Sequence, residues 1–229
     1  MKSNVQPREI TPTQVTRLSS SLLMGLCVTV ALVVIFVIFA QSLTTAWVAN
    51  LDNSLGEAVR STRAEWLTPI ALFFTFLGKG STEFILFAII AVLLIFRFKQ
   101  TWEALVMFFG VLFSWGLNEL LKRVFVRMRP DLQWLTEADG YSFPSGHAMV
   151  STTFYGLIGY LLWIHLRGRW SGAWSIPALT LLFFVTVGFS RIYLGVHYPS
   201  DVLAGFAVGG ACLAGCVAGI QVIRHYRGR

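Results

Sequence analysis

A chain of 229 residues that is 55% hydrophobic and only 13% charged, with a mean hydropathy of +0.67, is far too apolar for a soluble domain and calls for a bilayer as solvent. Its formal charge of +7 would suit a nucleic acid, but the basic residues border apolar runs. That pattern predicts anchoring at a lipid bilayer and no nucleic-acid partner.

In chain order, residues 1–20 are polar and read as an N-terminal cytoplasmic tail, and 21–229 as one membrane-embedded domain. Leu22–Ala40 is an uncharged run long enough to cross a bilayer, and Ile38-Phe39-Ala40 lacks the small-x-small pattern of a cleaved leader. We therefore expect a retained first span. Leu67–Leu77 is too short to cross and is expected to lie at the outer interface. Five more spans are predicted at about Ser81–Phe98, Thr101–Leu121, Ala148–Leu166, Trp174–Phe189 and Val202–Ile223. The fold class is all-α: a polytopic bundle of six transmembrane helices with an outer interfacial helix. Cys27, Cys212 and Cys216 fall inside apolar runs and read as small buried hydrophobes, with neither disulfide nor metal spacing.

Cations flanking the spans set orientation. With the N-terminus inside, the inner segments carry ten of the 18 Lys and Arg: Lys2, Arg8, Arg17, Arg97, Lys99, Arg167, Arg169, Arg224, Arg227 and Arg229. This predicts a multi-pass protein of the cell membrane with both termini cytoplasmic. The outer segments hold eight cations, five of them clustered: Lys122, Arg123, Arg127, Arg129 and Arg191. Charge on the disfavoured side is a hint of function.

Those cations lie in or between three clusters that fall on one face of the membrane. Lys122 and Arg129 are seven residues apart, which places them on one face of a helix continuing beyond the third span, and Pro130 is expected to stop that helix. Arg123 and Arg127 are expected to snorkel toward lipid, with Glu119 a partner for Arg123. Pro144-Ser145-Gly146-His147 opens the fourth span, where Ser145 caps, Gly146 admits a close ligand and free N–H groups attract an anion. Ser190-Arg191 ends the fifth span. His197 follows the Gly195 turn, and Asp201, four residues on, reaches its imidazole. Two histidines with one acid partner suit two tasks, a carboxylate-held nucleophile and a proton donor. Three cations suit the charge that develops during phosphoryl transfer. His165 and His225 are expected at the inner interface.

These clusters, in this order and spacing, resemble the signature of the type 2 phosphatidic acid phosphatase (PAP2) superfamily, over Lys122 to Asp201. The resemblance implies that His197 is the nucleophile and forms a phosphohistidine, that Asp201 orients it, and that His147 is the general acid. Lys122, Ser145, Gly146, Arg129 and Arg191 would bind the phosphate. It implies no cofactor and no metal. The substrate expected is a membrane lipid phosphate monoester or diphosphate of the undecaprenyl diphosphate, phosphatidylglycerol phosphate or phosphatidic acid class. A lipid phosphotransferase and a non-enzymatic lipid carrier are the alternatives. Five glycines, Gly205, Gly209, Gly210, Gly215 and Gly219, give the last span a face for close packing, read as packing within a monomer, with a dimer as the second possibility.

Overall fold

The computed structural model describes residues 12–227, and all regular structure among them is helical. The helices are α1 (Pro12–Gln41), α2 (Ala46–Arg60), α3 (Leu67–Leu77), α4 (Gly80–Val92), α5 (Thr101–Phe125), α6 (Gly146–Leu166), α7 (Ser175–Tyr193) and α8 (Pro199–Tyr226). A π-helical turn, Leu93–Arg97, prolongs α4, and a 3-10 turn, Ser171–Trp174, leads into α7. Six segments of the described residues are long and apolar enough to cross a membrane: Leu18–Gln41, Gly80–Arg97, Thr101–Phe125, Gly146–Leu166, Ser171–Tyr193 and Pro199–Tyr226. The protein is a multi-pass membrane protein, and its large apolar side chains point outward along these helices, as Leu23, Phe84, Phe109 and Leu182 do.

Several boundaries differ from expectation. Part of the tail expected over 1–20 lies outside the described residues, as do Lys2, Arg8 and Arg229; residues 12–20 are helical and continue into the first span. Cys27 is exposed rather than buried, because α1 offers most of its surface to lipid. The sequence pattern predicts no helix between the first span and Leu67. Yet Ala46–Arg60 forms α2, whose buried residues Val48, Asp52 and Gly56 recur every four positions. Such spacing gives one inward face, and it carries a carboxylate into the bundle.

Helix α6 is the most buried of the six spans. It packs against α5, α7 and α8 around a core of Met107, Phe154, Leu157, Leu161 and Ile220. Its approach to α8 requires glycine. A Cβ at Gly205 would stand 2.7 Å from the Ser145 carbonyl oxygen, and one at Gly209 would stand 2.3 Å from that of Met149. The glycine face of the last span thus works within the bundle at these two positions, while Gly215 and Gly219 have open space beside them. The Thr153 hydroxyl lies between Ser114 Oγ and the Gly209 carbonyl, 3.1 Å from each, and ties α5, α6 and α8 together.

Candidate active site

The end of the bundle where α6 begins gathers all three clusters. Gly195, at φ +83°, makes the turn after α7. Arg63 holds that turn from the α2–α3 connection, donating from Nε to the Tyr193 carbonyl at 2.9 Å and from Nη2 to Gln133 O at 3.2 Å. His197 follows, almost fully buried, with Nδ1 3.3 Å from Asp201 Oδ2. The same carboxylate oxygen accepts the Tyr198 N–H at 2.9 Å, so Asp201 satisfies a donor at the start of α8 while it faces the imidazole.

The second cluster is locked to the third. Ser145 N–H donates to the Asp201 carbonyl at 3.0 Å. Asn118, one helical turn before Lys122, donates to the Pro144 carbonyl at 3.1 Å. A Cβ at Gly146 would stand 2.8 Å from Asn118 Oδ1, so this position must be small. Ser145 does not cap α6 as expected. Its side chain makes no cap hydrogen bond, and its buried Oγ has no partner among the described residues. His147 lies within electrostatic reach of Arg191, His197 and Lys122 and close to the Thr75 backbone. Behind it, Ser151 donates to the buried Glu83 at 2.6 Å, and Gly78 at the end of α3 lies against both His147 and Ser151.

The first cluster reaches the site differently from the sequence expectation. Helix α5 ends at Phe125, and Val126 takes a left-handed conformation, φ 49° and ψ 31°, which is uncommon for a β-branched residue. Arg129 therefore comes from a loop rather than from a helical face shared with Lys122. Ser142 fastens this loop, its N–H donating to Arg127 O at 2.8 Å. Arg129 Nη1 lies 2.8 Å from Val196 O and 3.1 Å from His197 Nε2. Its other nitrogens bond Gly140 O and Asp139 O. Lys122, not Arg123, pairs with Glu119, at 3.9 Å. Arg191 is buried in the last turn of α7, where Nη1 bonds Thr75 Oγ1 and Nε has no partner among the described residues.

Arg127 overturns the snorkelling expectation. It turns inward, with Nη1 2.6 Å from Asp201 Oδ1 and 2.8 Å from Ser200 Oγ, and Nη2 2.7 Å from Asp52 Oδ2. Its guanidinium sits 4.1 Å from the Tyr198 ring centroid. Asp52 in turn accepts the Ser200 N–H at 2.8 Å and its hydroxyl at 2.7 Å. The result is a continuous chain from His197 through Asp201 and Arg127 to Asp52 on α2. Asp52, Ser200 and Thr75 were not singled out from the sequence. For Asp52 a signal existed, a lone acid on the apolar stripe of α2; for Thr75 there was none.

The electrostatics fit these contacts. Burial pushes His197 well below the usual histidine value, and Arg129, Arg191 and Lys122 push the same way. Burial also lowers Arg129. For Arg127 burial opposes the charge, but Asp201 and Asp52 outweigh it and raise the group. The tautomer of His197 follows from its partners. A guanidinium can only donate, so Nε2 carries a lone pair, and the ring proton sits on Nδ1 facing Asp201. Among the described residues no three His, Cys, Asp or Glu side chains converge in a way that would hold a metal ion.

Comparison with known proteins gives this geometry a family. The model of the PAP2 superfamily matches residues 103–224, a stretch that includes all three clusters. The chain belongs to the PAP2 superfamily. It is 34% identical to phosphatidylglycerophosphatase B of Bacillus subtilis over 180 residues, 79% of this chain and 88% of that relative. It is 35% identical to an undecaprenyl-diphosphatase of Sulfolobus acidocaldarius over 141 residues, 58% of this chain and 63% of that one. The crystal structure of the transmembrane PAP2-type phosphatidylglycerolphosphate phosphatase from Bacillus subtilis superposes with a TM-score of 0.80 at 32% identity. That match covers 85% of this chain and 96% of the other. The six-helix membrane bundle is thus the architecture of a PAP2 membrane phosphatase.

Proposed function

We propose that this protein is an integral membrane lipid phosphatase. It hydrolyses a lipid phosphate monoester or diphosphate, of the phosphatidylglycerol phosphate, undecaprenyl diphosphate or phosphatidic acid class, through a phosphohistidine at His197. The observation that carries this reading is the state of His197: Asp201 on Nδ1, Arg129 on Nε2 and a depressed pKa. Together they leave a neutral imidazole whose lone pair is on Nε2, facing the Arg129 guanidinium. The buried and unpartnered Ser145 Oγ and Arg191 Nε supply donors suited to phosphoryl oxygens.

In the proposed reaction the phosphoryl group draws the Arg129 N–H away from Nε2 onto one of its oxygens. Nε2 attacks phosphorus in line as the bond to the lipid oxygen breaks. Asp201 holds Nδ1–H and stabilises the imidazolium that forms. Lys122, Arg129 and Arg191, with the Ser145 hydroxyl and the Gly146 amide, bear the charge on the three equatorial oxygens. His147 gives its proton to the departing oxygen, then takes one from the water that attacks the phosphohistidine and restores Nε2. The cations do the work that metal ions do in two-metal phosphatases, so the reaction needs no metal. The site faces the outer side, both termini are cytoplasmic, and the working unit is a monomer.

The test is phosphate release from a panel of lipid phosphates by the purified protein in detergent. His197→Ala should abolish turnover, and His147→Ala should slow it by roughly 10²–10⁴ where the leaving group is a lipid alkoxide. Near-normal turnover in His197→Ala would remove the nucleophile from the scheme. Phosphorylated lipid in place of free phosphate would make the enzyme a phosphotransferase.

A further inference from the structure

We propose that the end of the bundle opposite His197 holds a second lipid site, which takes the phosphate and one acyl chain of an anionic phospholipid. The two ends are well separated, since His147 and Arg167 stand at either end of α6, roughly 30 Å apart at ~1.5 Å per residue. At the far end a cavity of about 490 Å³ opens between Trp163, Arg167, Arg169, Trp170 and Trp174. The Arg167 guanidinium lies 4.8 Å from the centroid of the Trp163 ring, which places its charge at the cavity wall in advance. Gly168, at φ +86°, makes the turn that brings Arg169 to the same space.

Charge selects an anion here. The sequence contains no Asp or Glu between Asp139 and Asp201, and among the described residues no acid lines the cavity. The acid on the neighbouring helix, Glu103, is already within 3.5 Å of Arg224. Three indoles line this space, beside two guanidinium groups that match a phosphodiester.

The shape selects a lipid over a free ion. Trp163 also lines an apolar groove of about 350 Å³ beside Gly159, Tyr160, Pro177 and Leu181. That groove shares Leu181, Phe184, Leu213 and Val217 with a further apolar cavity of about 520 Å³ bordered by α1. From Trp163 to Thr152 on α6 the path rises ~16 Å at ~1.5 Å per residue, about one leaflet of a ~30 Å hydrocarbon core. A headgroup pocket beside a run of neighbouring apolar grooves that together reach about one leaflet deep suits a single phospholipid molecule.

The test uses the full chain in nanodiscs of mixed phosphatidylglycerol and phosphatidylcholine, followed by native mass spectrometry of the lipid retained. The wild-type protein should retain phosphatidylglycerol in preference to phosphatidylcholine. Arg167→Gln with Arg169→Gln should weaken that preference roughly 30-fold, about fivefold per charge, while phosphate release continues. Leu181 is exposed, so Leu181→Trp should fold, and by narrowing the groove it should lower retention of phosphatidylglycerol with both arginines in place. Retention unchanged in either variant would overturn the site. So would phosphatidylglycerol that vanadate or Arg191→Ala displaces, because that lipid would belong to the catalytic end.

Discussion

Arg127 offers the sharpest test of how this site is held. Its guanidinium joins two carboxylates, Asp201 at 2.6 Å and Asp52 at 2.7 Å, and its side chain is only 16% exposed. Removing one member of a buried pair leaves the other charge without compensation and costs ~3–5 kcal/mol. Arg127→Ala would leave two buried carboxylates facing each other across Ser200, so the upper part of that range is expected, against a total stability of ~5–15 kcal/mol. Activity should suffer separately. Arg127 touches Asp201 rather than any atom placed to meet phosphate. Its loss should therefore loosen the imidazole and lower kcat by about 10²-fold, the cost of a misplaced reacting group, with KM little changed. Arg127→Lys should recover only part, because an ammonium cannot bridge both acids as a planar fork does. Adding Asp52→Asn to Arg127→Ala should restore some stability through a coupling of ~0.5–3 kcal/mol. The assays are thermal unfolding in detergent and steady-state phosphate release, with the exposed Arg123→Ala as control. Equal, mild effects of Arg127→Ala and Arg123→Ala would refute the positioning role.

Three further outcomes are expected. Single cysteines introduced at Gly140 and Gly168 should react oppositely with an impermeant reagent in intact cells, Gly140→Cys labelled and Gly168→Cys protected; the reverse would turn the site toward the cytoplasm. Phosphate release should survive excess EDTA, and vanadate should inhibit competitively as a mimic of five-coordinate phosphorus; activity lost to EDTA and restored by magnesium would require a different mechanism. His197 is held neutral by burial and three cations, so below pH ~6.5 the unfolded chain binds a proton that the folded one refuses. Stability should fall as pH drops through this range, by up to ~1.4 kcal/mol per pH unit from this residue. His197→Gln should flatten the slope, and an unchanged slope would assign the effect elsewhere.

The parts of the site legible in the sequence are those fixed by local spacing. Asp201 reaches His197 because four residues make one helical turn, and Ser145, Gly146 and His147 stand at the start of α6 because Pro144 precedes a long apolar run. The spans were legible for the same reason, as hydrophobic length is a property of contiguous residues. What escaped depends on chain far away in sequence. Asp52 meets Ser200 across 148 positions and Thr75 meets Arg191 across 116. Neither α2 nor α3 carries a signature of its own. The short α2 is only partly apolar; its stripe marks Asp52 as an inward acid, but the partner that Asp52 meets is set only when α8 is placed beside it.

Arg123 and Arg127 show where such reading stops. Both lie between Lys122 and Arg129, both are single cations beside apolar residues, and snorkelling was the natural expectation for each. Arg123 is still within α5, on its exposed side, and remains at the surface. Two residues before Arg127 the helix ends, and Val126 takes its left-handed conformation. The chain then turns back along Ser142, which fastens the Arg127 and Met128 carbonyls. That reversal, rather than any property of arginine, sends one guanidinium into the bundle and leaves the other outside. A cation brought beside a buried carboxylate is held there, because the only alternative for Asp201 and Asp52 is an uncompensated charge away from water. The backbone break after Phe125 is thus what converts an ordinary membrane-boundary arginine into part of the buried network behind His197.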